Sequence, residues 1–413
     1  MKSKQLLIED FRSIILDFRL NSRLWCLYFN LPSKSKSKLF MAENKNQKRK
    51  VLYIAMHRQD RSPSQRFRFE QYLAFLKLNG YDYDFSFLIS PEDDKIFYSP
   101  GNTLKKGIIF LKCFFKRLGD VLRANEYDIV FIQREAFMTG TIFFEKQFAR
   151  SKAKVIFDFD DSIWMQNVSD ANKRFSFLKD ATKTSKIIAL SDMIFAGNEY
   201  LSDYAKPFNN NIRIVPTTID TVEYERMVLP KEEKICIGWS GSITTIQHFK
   251  FAMSALNKIK KKYGERIKIK VIGDANYRND ELDVVSMNWN KQDELKELSS
   301  FDIGIMPLPD DEWAKGKCGL KGLQYMALAI PTIMSPVGVN SEIIQSGVNG
   351  FLATTDDDFV NAISKLVDDE ILRKQVGAAG RKTVVEKFSV QAWEKKYLDY
   401  FNEVLLMPMY GRA

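Results

Sequence analysis

From about residue 50 onward, short apolar runs alternate with stretches of helical periodicity. The runs at 51–56 (VLYIAM), 83–89 (YDFSFLI), 128–132 (DIVFI), 154–159 (KVIFDF) and 192–196 (DMIFA) predict strands. Their nearly unbroken apolar character is what strands covered on both faces of a parallel sheet require. Helical patterns lie between them, over about 64–79, 104–124, 141–151 and 175–190. Asn209-Asn210-Asn211, Pro216 and a polar stretch from Pro230 then interrupt the pattern. A second series follows, with strands at 234–239, 267–272, 283–287, 302–306 and 331–335. Its helices run to about 263 and over 319–329, 341–346, 356–367, 369–387 and 390–406. Two such series predict an α/β protein of two doubly wound, parallel-sheet, Rossmann-like domains facing a cleft. The expected boundaries are an extension over 1–48, a first domain over 49–220, a linker over 221–233, a second domain over 234–388 and a final helix over 389–413.

Composition narrows the class. The chain has 413 residues, long enough for two domains, with 45% hydrophobic and 28% charged residues. Cys26, Cys113, Cys236 and Cys318 are far apart, and His57 and His248 are the only histidines. A disulfide framework or structural zinc site is not expected, and a reducing, cytoplasmic setting fits. Net charge is +10, but residues 1–50 carry twelve Lys/Arg against four acidic residues, leaving the rest nearly neutral. A nucleic-acid partner is therefore not expected. In the extension, Leu7, Phe11, Ile14 and Phe18 share a helical face beside Arg12, Arg19 and Arg23, with Lys34, Lys36 and Lys38 following. One reading is an interfacial helix drawn to an anionic membrane surface. The other is an inert extension, with Met41 as the start. The 104–124 helix mixes Lys105, Lys106, Lys112, Lys116 and Arg117 with Ile108, Leu111, Phe115 and Leu118. It reads either as a surface meeting lipid or as a covering helix with a solvated cationic face.

Three segments carry candidate chemistry. Gly238-Trp239-Ser240-Gly241-Ser242 leaves a strand for a helix, a turn whose backbone N–H groups suit phosphate. Lys315, Lys317 and Lys321 crowd a glycine-rich stretch that opens a helix, placing Lys321 in its first turn and Gln324 one turn on. Ser335-Pro336-Val337-Gly338-Val339-Asn340 enters another helix with Glu342 in its first turn. In the first half, Asp158-Phe159-Asp160-Asp161 ends a strand, and Arg66 and Arg68 follow Ser62 and Ser64. The arginines suit an anionic acceptor or are ordinary surface charge. His57, after the first strand, is an acid/base candidate.

The stretch KGLQYMALAIPTIMSPVGVNSEIIQSGVNGFLA (321–353) resembles the donor-site signature of GT-B glycosyltransferases of the family 4 group. SPSQRFRFEQYL (62–73) and VIFDFDDSIW (155–164) resemble a bacterial subgroup that builds surface polysaccharides. The resemblance implies a GT-B architecture and transfer of a hexose, with retention, from a nucleotide diphosphate sugar to a glycan or lipid-linked acceptor. It implies no metal and no further cofactor, and a location in the cytoplasm or at the inner face of the membrane. Gln324 then stands at the donor ribose, where Gln324→Glu should be tolerated. Lys321 stands near the diphosphate, with Ser240, Gly241 and Ser242 facing it. Val337, Gly338, Val339, Asn340 and Glu342 fall at the sugar-phosphate end, and Lys315 or Lys317 adds charge. Asp160 is the catalytic candidate alongside His57, and Asp161, Arg66 and Arg68 lie on the acceptor side. The chain departs from the pattern at Gly316, where the first of two glutamates is expected, and at Trp239, which replaces an arginine. The Asp158 motif also fits a Mg²⁺-dependent phosphohydrolase with Asp158 as nucleophile, or the DxD metal motif of GT-A transferases. The missing glutamates leave open a catalytically silent binding subunit.

Overall fold

The structure, a computed structural model, describes residues 48–99, 101–165, 180–230 and 232–408. The expectations placed on residues 5–38, on Cys26 and on Met41 lie outside these residues. Twelve described strands form two six-stranded sheets, each parallel throughout. The first contains β1 (Arg49–Ala55), β2 (Tyr81–Phe87), β3 (Ile129–Gln133), β4 (Lys154–Phe159), β5 (Met193–Ala196) and β6 (Ile212–Ile214), in the order β2-β1-β3-β4-β5-β6. The second contains β7 (Ile235–Ser240), β8 (Ile267–Ile272), β9 (Val284–Met287), β10 (Ile303–Met306), β11 (Thr332–Met334) and β12 (Phe351–Leu352), in the order β12-β11-β10-β7-β8-β9. Strand order reverses between β1 and β3 in one sheet and between β7 and β10 in the other. A crevice opens beyond the carboxyl ends of the strands at such points.

The central strands are buried because they hold little but apolar side chains: all of Val51–Ala55 and Ile129–Ile132 is inaccessible. Two strands escape the sequence pattern. β6 is three half-buried residues including Arg213, and β12 is only two residues long. The continuous helix expected over 64–79 is broken into α1 (Pro63–Arg66), a 3-10 turn (Glu70–Tyr72) and α2 (Leu73–Leu78). Gln65, Arg66, Phe67, Arg68 and Phe69 are all buried. Five consecutive buried residues cannot share one stripe of a regular helix, so the chain tightens here instead.

Four further helices matter below: α3 (Thr103–Arg123), α4 (Leu320–Ala327), α5 (Asn340–Ile343) and α6 (Val390–Leu406). The last packs on the first sheet, although it follows the second in sequence. Tyr397 stacks on Tyr72 at 4.1 Å between ring centroids, and Phe401 meets Phe131 and Phe195. Among the described residues no helix is long and apolar enough to cross a membrane.

Candidate functional site

At the second sheet's switch point, the turn after β7 is shaped by close packing. A Cβ on Gly241 would lie 2.2 Å from the Trp239 ring, so only glycine lets the chain fold over that indole. Ser240 is engaged: its N–H donates to the Tyr325 hydroxyl at 2.7 Å, and its Oγ lies 2.8 Å from the same oxygen. Ser242 caps its own turn through Thr245 and remains exposed. Lys321, in the first turn of α4, has its ammonium 5.5 Å from the centroid of the Trp239 ring. No carboxylate among the described residues lies within ion-pair distance of it. Burial, and then the neighbouring Lys317, lower its pKa to about 8.

Beyond β11 the chain turns at Gly338, whose φ of +55° is left-handed and whose missing Cβ leaves room for the Lys315 carbonyl. Val337 and Val339 point inward, so this segment offers its backbone rather than its side chains. Asn340 is fully buried; its amide donates to the Ser335 carbonyl at 3.0 Å, and its Oδ1 has no partner. Glu342 is exposed. Lys315 does not join the group, because it is half-buried and paired with Glu312 at 2.7 Å.

The first sheet's edge is fully paired. Asp158 is inaccessible and held by Arg68 at 2.5 Å. Burial raises its pKa, and Arg68 opposes that rise. Asp160 accepts from Arg134 at 2.8 and 2.9 Å, and Asp161 from Lys317 at 2.7 Å. The expectation of Asp158 as a nucleophile is therefore corrected: its carboxylate faces a guanidinium inside the protein. The readings of Arg68 as an anion-binding or solvated surface residue fail for the same reason. His57 is a neutral imidazole, its pKa lowered to about 4 by burial and then by Arg61. Its Nε2 lies 3.2 Å from the Tyr98 hydroxyl.

The two edges meet. The Lys317–Asp161 pair crosses between them, the Asn198 amide donates to the Lys315 and Lys317 carbonyls, and the Cys318 thiol donates to the Asp160 carbonyl. At Gly316 a Cβ would sit 2.1 Å from Ser162 Oγ and 2.8 Å from its backbone nitrogen. A glutamate cannot occupy that position in this arrangement. Deeper in, Arg66 donates to both Glu294 oxygens at 2.7 and 3.2 Å and to the Tyr224 hydroxyl. This too corrects the expectation of an anion-binding Arg66, which is buried and already neutralised. Gln324 belongs to the same cluster: its amide donates to Tyr224 at 3.1 Å and to Glu294 at 3.2 Å. Only its carbonyl oxygen is left for a ligand.

Sequence reasoning missed Arg134, Tyr224, Glu294 and His248. Arg134 adopts a φ of +63°, a strained conformation held where it clamps Asp160. His248 is buried, with Nδ1 unpartnered and its pKa lowered to about 4 by burial and then by Lys321 and Lys317. Its place in the helix following the glycine turn was the available signal.

Residues 234–369 match the family described as Glycosyl transferases group 1. The capsular polysaccharide biosynthesis glycosyltransferase CapM of Staphylococcus aureus is 27% identical over 183 residues, 40% of this chain and 45% of that protein. The chain thus spans less than half the length of that relative. A glycosyltransferase from Rickettsia africae ESF-5 superposes over 88% of this chain and 100% of its own, with a TM-score of 0.61 at 13% identity. HepE of Anabaena, solved in complex with UDP, covers 86% of this chain and 100% of its own, with a TM-score of 0.59 at 12% identity. The fold is that of the GT-B glycosyltransferases. The match to the group 1 family lies within its second half.

Proposed function

We propose that the chain is a glycosyltransferase that moves a hexose from a nucleotide diphosphate sugar to a hydroxyl of a glycan. The observation that carries this reading is Lys321, a cation without a carboxylate at the switch point of the group 1 domain. A diphosphate supplies the missing negative charge. Charge-assisted contacts of this kind are the strong ones, and they strengthen further as the leaving group gains charge. Because HepE is solved with UDP, a uridine diphosphate sugar is the first donor to try. Lys321 and the backbone of 337–340 would hold the phosphates, so the reaction needs no metal. The Gln324 carbonyl oxygen can accept from a ribose hydroxyl. Asp160, held by Arg134, would orient the acceptor hydroxyl. His57, uncharged and bonded to Tyr98, would border the acceptor side. Retention of configuration and a lipid-linked, surface-polysaccharide acceptor at the inner face of the membrane complete the proposal. The similarity to CapM supports the polysaccharide reading.

A second reading rests on Gly316. With no room for a glutamate against Ser162, the chain would bind a nucleotide sugar without turning it over. Both readings are tested by incubating the protein with UDP-sugars, with and without EDTA, while following UDP release and the anomer formed. Metal-independent UDP release supports transfer. Binding without release supports the silent subunit. Release abolished by EDTA and restored by Mn²⁺ contradicts the metal-free mechanism.

A further inference from the structure

Helix α3 packs Phe110, Phe114, Leu118 and Val121 against the first sheet's core, yet it also buries charge and exposes an apolar stripe. Its inward face carries Ile109 and Cys113 but also Arg117 and Asp120, an ion pair at 2.8 Å. Arg117 is further satisfied by the Ala136 carbonyl at 2.7 Å and the Ser86 hydroxyl at 2.9 Å. The outward face carries Leu104, Ile108, Leu111, Phe115 and Leu122, between 50% and 82% exposed. These positions recur at steps of four, three, four and seven, a single straight stripe on a helix. The sequence reading of Arg117 as part of a solvated cationic face is thus corrected.

Lys105, Lys112 and Lys116 lie along one flank of the stripe and are exposed. Lys112 makes a 3.4 Å contact with Asp93, while Asp120, the helix's own acidic residue, is buried with Arg117 and Arg123. The exposed charge beside the stripe is therefore cationic. We propose that this stripe is a docking face for an anionic lipid bilayer, with the leucines, Ile108 and Phe115 entering the interface and the lysines meeting the headgroups. Charge complementarity selects that occupant. A second copy packed antiparallel and face to face would set lysines against lysines, and a parallel one would leave them without a counter-charge. The proposal rests on and deepens the lipid-linked acceptor reading, since it names a surface of the first lobe that would meet the membrane where such an acceptor is anchored.

The test is co-sedimentation of the full chain with phosphatidylcholine vesicles and with mixed phosphatidylcholine/phosphatidylglycerol vesicles at rising salt. Wild type should partition onto the anionic vesicles. The variant Leu111→Ser/Phe115→Ser should lose at least about tenfold in partitioning with an unchanged melting temperature, since both side chains are exposed. Lys105→Glu/Lys116→Glu should lose more than about fivefold per residue at low salt, and less at high salt. Equal partitioning of wild type and Leu111→Ser/Phe115→Ser overturns the proposal, as does wild type remaining in solution. A wild-type dimer made monomeric by Leu111→Ser/Phe115→Ser in sedimentation velocity assigns the face to a second copy and also overturns it. UDP binding, measured on the same samples, reports separately on the donor reading.

Discussion

The two sheets present the same kind of edge to one another, yet their charges are disposed in opposite ways. At the first sheet three carboxylates stand in a row of four residues, and each has its own cation: Arg68 for Asp158, Arg134 for Asp160, Lys317 for Asp161. At the second, Lys321 rests over an indole, and no carboxylate of the described residues is at ion-pair distance from it. A paired edge is rigid, because removing either partner strands the other charge inside the protein. A cation left unpaired and partly buried costs stability in the free protein, and an arriving anion relieves that cost. The difference locates where each lobe contributes. In the proposed reading the first lobe supplies a fixed polar wall and the second the charge that binds the donor.

That comparison can be broken at several points. The largest effect is expected from Arg68→Ala, which leaves Asp158 buried without its partner. Such losses run to about 3–5 kcal/mol, and urea unfolding should show it as a lowered midpoint. Next is Lys321→Ala, which should weaken UDP binding by about 1.5–3 kcal/mol in calorimetry while leaving the melting temperature unchanged or raised. An equal fall in stability would mean that Lys321 is structural. Smaller again is Gln324→Glu. The sequence alone suggests tolerance, but the structure places a second carboxylate against Glu294 and removes two donated hydrogen bonds. A loss of about 1–3 kcal/mol is expected by thermal or urea melting. Unchanged stability would free position 324 from the Glu294 cluster.

The strands were legible because burial on both faces writes an unbroken apolar run, as in VLYIAM and IKIKVI. The glycine turn and Lys321 were legible because a helix opening on glycines beside lysines is a local arrangement. Arg66 and Arg68 were not. Their partners lie 228 and 90 residues away, at Glu294 and Asp158, and no local pattern distinguishes a buried arginine from a solvated one. The break in the 64–79 helix has the same origin, since the burial of Gln65 through Phe69 is imposed by both lobes. Gly316 was read as a departure from a motif, and the structure supplies its physical reason in the contact with Ser162.

If the ammonium of Lys321 receives the diphosphate, UDP affinity must follow the protonation of that lysine. Only the protonated lysine attracts an anion, and its pKa in the free protein is lowered to about 8. Binding should therefore be strong below about pH 8 and weaken above it, by up to about tenfold between pH 7 and pH 9. In Lys321→Arg the charge persists throughout, so the affinity should stay nearly flat over that range. Calorimetric titrations of UDP into both proteins at the two pH values decide the matter. A slope present in wild type and absent in Lys321→Arg is the predicted result. Identical pH profiles in the two proteins would contradict the claim and move the binding charge elsewhere.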